Sequence, residues 1–286
     1  VELYQQANAI DPSFAPAYAS LAICYVHIRI GSMGGPPPRE LFPRAKAAAT
    51  KALELDNTLG EAHAALAAVK FFFEWNWHAP EQDYQRAVEL EPQNTNILLM
   101  YDPYLILTGR FDDGIAIHKK AIELDPLSPF VSLTLGFGYR HARRYDEGIA
   151  YLRKMLQLYP NHPIALYQIS WHYVFKGMYK EAIEAVEKVP EPSQKAYIYA
   201  VAGRRADALK VLQEVLDYSK QQYFDPLYIA VIYMGLGDTE KTFEWLNKAY
   251  EERTGYMVWL KTEPVFDPLR TDPRYIELCR KIGLEE

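Results

Sequence analysis

The chain has 286 residues, 49% of them apolar and 24% charged, a composition that supports a packed core and excludes intrinsic disorder. Against 37 Asp and Glu stand 31 Lys and Arg, and the net charge of −6 repels a phosphate backbone, so direct nucleic-acid binding is not expected. No apolar run approaches the ~18 to 20 residues that span a bilayer, and the start lacks signal-peptide zones, so a soluble segment without membrane insertion is expected, cytoplasmic in preference to extracytoplasmic.

In chain order, residues 1–12, "VELYQQANAIDP", read as a lone second helix of a truncated pair, and the missing initiator methionine suggests a fragment of a longer protein. Residues 15–57 read as a helix pair interrupted by "GSMGGPPPRELFP", residues 31–43, whose glycines and prolines predict a loop. That loop lacks the Lys-Ser/Thr of a phosphate cradle, and its "PPPR" is a weak polyproline ligand signal.

Further pairs follow over 60–92, 95–126, 129–160 and 163–190, with first helices beginning near Ala15, Gly60, Thr95, Pro129 and Pro163. Their closing stretches "KALELDN", "RAVELEP", "KAIELDP" and "KMLQLYP" end at Asn57, Pro92, Pro126 and Pro160, which are 35, 34 and 34 residues apart. Glycine marks the turn inside a pair at Gly109, Gly177, Gly203 and Gly237, where positive φ closes a helix, and Arg143 stands where the next glycine would be. Two degenerate pairs, 193–220 and 225–254, precede a terminal cap, 256–286.

A period of 34 with these landmarks resembles the tetratricopeptide repeat. The resemblance implies an all-α, right-handed superhelical solenoid of antiparallel helix pairs, a single domain whose first helices line a concave face. In that family the second, fifth, ninth, twelfth and thirteenth positions of a unit point into the groove. Here they are Phe130, Leu133, Phe137, Arg140 and His141, then Ile164, Tyr167, Trp171, Val174 and Phe175. Co-chaperone relatives hold a C-terminal carboxylate there with Lys, Asn and Arg, and this chain departs from that pattern. The implied ligand is an extended or helical peptide with apolar anchors, and the competing reading is that these aromatic side chains only pack.

The stretches "FFFEWNWHAPEQDYQRAVELEP", "GRRADALKVLQEV", "IAVIYMGLGDTEKTFEWLNKAYEER" and "VWLKTEPVFDPLRTDPRYIELCRKIGL" also resemble the C-terminal repeat region of bacterial multidomain signalling proteins. There the repeats follow a winged-helix, adenylate cyclase or Ser/Thr kinase domain. Neither resemblance supplies catalytic residues.

The sequence offers no enzyme chemistry of its own. Seven histidines show no metal-ligand spacing, and no nucleophile–base motif or cofactor fingerprint occurs, so no metal and no cofactor are expected. Basic residues gather at Arg140, Arg143 and Arg144, and at Arg204 and Arg205, as solvated turns or as a ridge for an acidic partner. The aromatic run Phe71 to Trp77 reads as a locally repacked turn in preference to an exposed patch.

Two function classes remain: a scaffold that binds a protein or peptide, with self-association as a variant, and a ligand-sensing domain that controls an attached effector. The terminal "FDPLRTDPRYIELCRKIGL" reads as the cap of the last unit, with Asp272 capping a helix that Pro273 opens and Tyr275, Leu278, Cys279 and Ile282 facing inward.

Overall fold

The computed structural model describes residues 1–30 and 35–284. A helix α1 (Glu2–Ile10) leads into pairs that pack antiparallel: α2 (Ala15–Ile30) with α3 (Pro38–Leu55), α4 (Gly60–Phe72) with α5 (Pro80–Leu90), and α6 (Thr95–Leu107) with α7 (Phe111–Leu124). Next come α8 (Pro129–Thr134) and α9 (Gly136–His141) against α10 (Tyr145–Leu158), then α11 (Pro163–Phe175) with α12 (Tyr179–Val186). The series ends with α13 (Pro192–Val201) and α14 (Arg205–Ser219), then α15 (Pro226–Gly235) and α16 (Thr239–Glu251). Two 3₁₀ helices, Gly255–Lys261 and Pro264–Leu269, and α17 (Pro273–Lys281) complete an all-α fold, with no strand among the described residues.

Local chemistry sets these boundaries. Proline opens α3, α5, α8, α11, α13, α15 and α17, where its missing N–H costs nothing. Asn94, Ser128, Glu191, Asp225, Asp238 and Asp272 each accept a hydrogen bond from an otherwise unpaired N–H of the first turn. The turns inside the pairs do take positive φ at Gly109, Gly177, Gly203 and Gly237, and Arg143 adopts the same left-handed geometry at φ 61°. A non-glycine residue tolerates that conformation only when the surroundings hold it, and Arg143 is tied down by Thr262 and Asp267.

Close packing of a pair needs small residues. Ala62, Ala64, Ala65, Ala67 and Ala68 are all fully buried on α4. A Cβ on Gly148 would stand 2.1 Å from the Nε2 of His172, so α10 and α11 approach as they do because that position has no side chain.

Two expectations about the first pair are corrected. Residues 31–34 of the expected loop lie outside the described residues, but α3 already runs from Pro38, so the loop does not extend to Pro43. Pro43 lies inside α3 and forfeits a single helix hydrogen bond near its start. The last proline of "PPPR", Pro38, is the first residue of α3 and is buried, while Pro36 and Pro37 before it are exposed. In the fourth pair the first helix breaks at Leu135, and the carbonyls of Val131 and Ser132 accept hydrogen bonds from His118 Nε2 (2.8 Å) and Tyr151 Oη (2.8 Å).

The terminal segment does more than cap the last pair. α17 forms as expected, with Asp272 accepting from the N–H of Arg274 and Tyr275, Leu278 and Ile282 buried. It and the end of α16 also reach back to the early pairs. Trp77 Nε1 donates to the carbonyl of Ile282 (2.7 Å), Arg253 Nε donates to the carbonyl of Phe73 (3.2 Å), and Arg39 donates to the carbonyl of Glu251. The run Phe71 to Trp77 is therefore repacked and covered: Phe71, Phe72, Trp75 and Trp77 are buried, and Trp75 stacks on Tyr250 at 5.4 Å. The solenoid closes on itself across its ends.

Candidate functional site

The inner face is built by first helices, and in this chain its own C terminus fills it. The 3₁₀ segment Gly255–Lys261 packs against α2, α4 and α6, with Met257, Val258 and Leu260 fully buried. Beside it, Glu263 enters the wall formed by α9, α11, α13 and α15.

At the centre is Arg140, 2% exposed. Its guanidinium lies 3.1 Å from the carboxylate of Glu263, itself 2% exposed, and stands over the rings of Trp171 (5.4 Å), Phe137 (5.6 Å) and Trp259 (6.0 Å). Burial raises the Glu263 pKa and Arg140 pulls it back down. The adjacent His141 is held well below the usual histidine range by burial and then by the Arg140 charge. His141 Nε2 lies 3.4 Å from both Arg140 Nη2 and the Glu263 carboxylate, and its Nδ1 is hydrogen-bonded to Thr262 Oγ1 (2.8 Å).

Next to this cluster is a cavity of about 10 Å³, the size of one water, lined by Arg140, Tyr167, Glu191, Gln194, Tyr228 and Glu263 among others. Arg140 Nε and Gln194 Oε1 are buried without a hydrogen-bond partner there. Glu191 spends its carboxylate on the start of α13, accepting from the N–H groups of Ser193 (2.7 Å) and Gln194 (2.7 Å). A second buried pair joins His118 Nδ1 to Asp102 at 2.7 Å. These are fixed charges and hydrogen bonds in the interior. No group of metal-ligating side chains occurs among the described residues.

The structure distributes the sequence-predicted groove residues unevenly. Leu133 is fully buried with Met155 and Ala165; Arg140, His141, Trp171 and Val174 are buried; Ile164, Phe137, Tyr167 and Phe175 are half-buried. Phe175 stacks between Trp171 (5.8 Å) and Tyr145 (5.5 Å). Phe130 alone of the set is exposed, at 56%. Trp259, Thr262 and Glu263 were missed, because they belong to a stretch without repeat register. The available signal was Glu263, the one carboxylate in the mostly apolar run "YMVWLKTEPVF".

The basic residues do not form one free ridge: apart from Arg140 they stand at solvated turns, each bound to a neighbour. Arg140 is buried, Arg143 binds Asp267, Arg144 binds Glu147 and Asp112, Arg204 binds Asp207 and Glu187, and Arg205 donates to the carbonyl of Leu236.

Comparison with known proteins agrees with this architecture. Residues 139–202 match the sequence model of the tetratricopeptide repeat. The fold is a tetratricopeptide-repeat solenoid. A tetratricopeptide repeat protein from Parabacteroides merdae superposes with a TM-score of 0.55 at 12% identity, over 93% of this chain and 99% of that one. A monomeric mutant of IFIT1, solved with Gppp-AAAA, gives a TM-score of 0.59 at 14% identity, over 87% of this chain and 66% of its own. No curated protein is similar enough to count as a match. No helix among the described residues is long and apolar enough to cross a membrane.

Proposed function

We propose that this tetratricopeptide solenoid is a non-catalytic scaffold that binds a peptide or protein, within a larger bacterial signalling or regulatory protein, and that it docks its partner on an outer edge. The observation that carries this reading is the filled inner face. A ligand there would have to displace Met257, Val258, Leu260 and Phe266, each fully buried. On this reading Leu133, Phe137, Arg140, His141, Tyr167, Trp171, Val174 and Phe175 hold the closed interior together. Phe130 faces outward and belongs to the docking surface.

The edge where each second helix ends offers what the interior does not. Leu55, Leu124 and Leu158 occupy equivalent positions of α3, α7 and α10 and are 38%, 38% and 62% exposed; Leu127 beside them is 86% exposed. Equivalent positions of a solenoid line up in space, so these leucines form a ridge. Glu54, Glu123, Asp56 and Asp125 interleave with them, which favours a basic, amphipathic partner. The likeness to IFIT1 concerns the fold, and a net charge of −6 speaks against an RNA end as ligand here.

A photocrosslinking residue placed at position 158 in the full chain should form adducts with a partner, and one at position 171 should not. Adducts from 171 alone, or from neither site in folded protein, would remove this reading. The second reading is a ligand sensor that changes curvature to control an attached kinase, cyclase or DNA-binding domain. The end-to-end ties through Trp77, Arg253 and Arg39 work against it, because curvature cannot change while they hold.

A further inference from the structure

Among the second helices α12 is the shortest. It ends at Val186, where the following "EKVPEPS" places Pro190 and Pro192 so that no further turn can form, whereas the next second helix, α14, runs 15 residues to Ser219. The end of α14 therefore has no partner turn of α12 beside it. A pocket of about 530 Å³ opens in that gap, walled by Pro190 and Pro192 on one side and by Val215, Tyr218 and Phe224 on the other. Its volume falls within the range of about 300 to 1,000 Å³ typical of ligand sites.

The chemistry of the walls is selective. The rings of Tyr218 and Phe224 meet edge to face, 6.1 Å apart at 83°, and Tyr218 is 43% exposed. The charged side chains that line the pocket are both carboxylates. Glu191, at the back, is committed to the N terminus of α13, with Lys195 close enough to favour its charge. Glu214, at the exposed mouth, forms no ion pair among the described residues. Aromatic faces, an apolar floor and an uncommitted carboxylate together suit a cation carried on an alkyl stem.

We propose that this pocket receives a lysine or arginine side chain of a partner segment whose apolar face lies along the leucine ridge. This rests on the scaffold reading and deepens it. The stem lies on Val215 and the two prolines, and the charged head sits at the aromatic corner beside Glu214. The pocket opens where α12 stops, at the same end of the second helices as Leu158 and Leu124, so a segment that runs across those helix ends meets both.

The test uses the full chain and a short fluorescein-labelled helical peptide of lysine and leucine, with its glutamate-for-lysine counterpart, measured by fluorescence anisotropy. The lysine peptide should bind and the glutamate peptide should not. Tyr218→Ala should weaken binding about fivefold, and Glu214→Lys about tenfold or more. Glu2→Lys, the same charge change on the distant and exposed α1, should leave it within about twofold.

Equal weakening by Glu2→Lys and Glu214→Lys would show that long-range charge alone attracts the peptide and would overturn the proposal. So would unchanged affinity in both pocket variants, both of which alter exposed side chains and leave the fold intact. Adducts at position 158 from a partner, with no binding of the lysine peptide, would remove the pocket assignment and leave the scaffold reading standing.

Discussion

Glu263→Ala should destabilise the chain by about 3 to 5 kcal/mol, the usual loss when one member of a buried ion pair is removed and its partner stays charged in the interior. The magnitude follows from three features: both side chains are about 2–3% exposed, they stand 3.1 Å apart, and Arg140 forms no other ion pair among the described residues. Arg140 keeps its cation–π contacts with Trp171, Phe137 and Trp259, which offset only part of the loss. Arg140→Met should cost a comparable amount, leaving the Glu263 carboxylate stranded. The double variant Arg140→Met, Glu263→Leu should recover most of the stability, because two apolar side chains of similar size need no compensation.

The measurement is a urea unfolding series on the four proteins, read as a double-mutant cycle. Lys241→Ala, which breaks the exposed pair with Glu244, serves as the control and should change stability by less than about 1 kcal/mol. Additive single effects, with a coupling below about 0.5 kcal/mol, would refute the assignment of Arg140 and Glu263 as a mutually dependent pair.

Acid should destabilise the protein through His172 and His141. Burial lowers His172 to about 4, so between pH 6.5 and 4 the unfolded chain takes up a proton that the folded chain refuses. Stability present above pH 6.5 is lost as pH falls, by up to about 3 kcal/mol for His172. His118 acts in the opposite sense: burial opposes its charge but the Asp102 carboxylate prevails and raises it, so its contribution is complete below pH 6.5 and fades as pH rises through its folded value. Thermal melts across pH 4 to 7 check this, and His172→Gln should flatten the curve. Gly148→Ala should cost about 1 to 3 kcal/mol by forcing a methyl group against the His172 ring, with rescue by His172→Ala, again read from urea midpoints. Deleting residues 272–286 uncovers Trp75, Trp77 and Tyr250; the truncated protein should melt lower and associate, and a monomer with unchanged melting would contradict the closure described above.

Local chemistry was legible in the sequence, and long-range chemistry was not. The starts of α2, α4, α6, α8 and α11 can be read because proline, glycine and capping residues act within a few positions of themselves. Even the replacement of a turn glycine by Arg143 was visible, although the tether that tolerates it, Thr262 and Asp267, was not. Pro43 misled because proline stops a helix interior but is tolerated near a helix start, and the start moved. The groove residues were assigned by repeat register, which says nothing of what covers a side chain, and Phe130 departs from the rest of the set by being exposed. Glu263 has no register at all: it pairs with a residue of α9 far back along the chain, and neither periodicity nor propensity encodes that meeting.

Closure also changes what kind of folding unit this is. In an open solenoid each repeat touches only its neighbours, so stability is a sum of local terms and the ends can fray independently. Here the final segment touches α2, α4 and α6 and is bonded to α9, so loosening the last pair uncovers the core of the first. The end that would ordinarily be the weakest becomes a shared structural element. The same contacts link distant stretches of sequence, whose pairing must await the closing of a long loop and so slows folding relative to the local hairpins. A repeat protein built this way gives up the open groove and the freedom to flex, and gains a rigid outer surface. On the scaffold reading, recognition falls to the ends of the second helices, where the shortened α12 leaves a pocket of about 530 Å³.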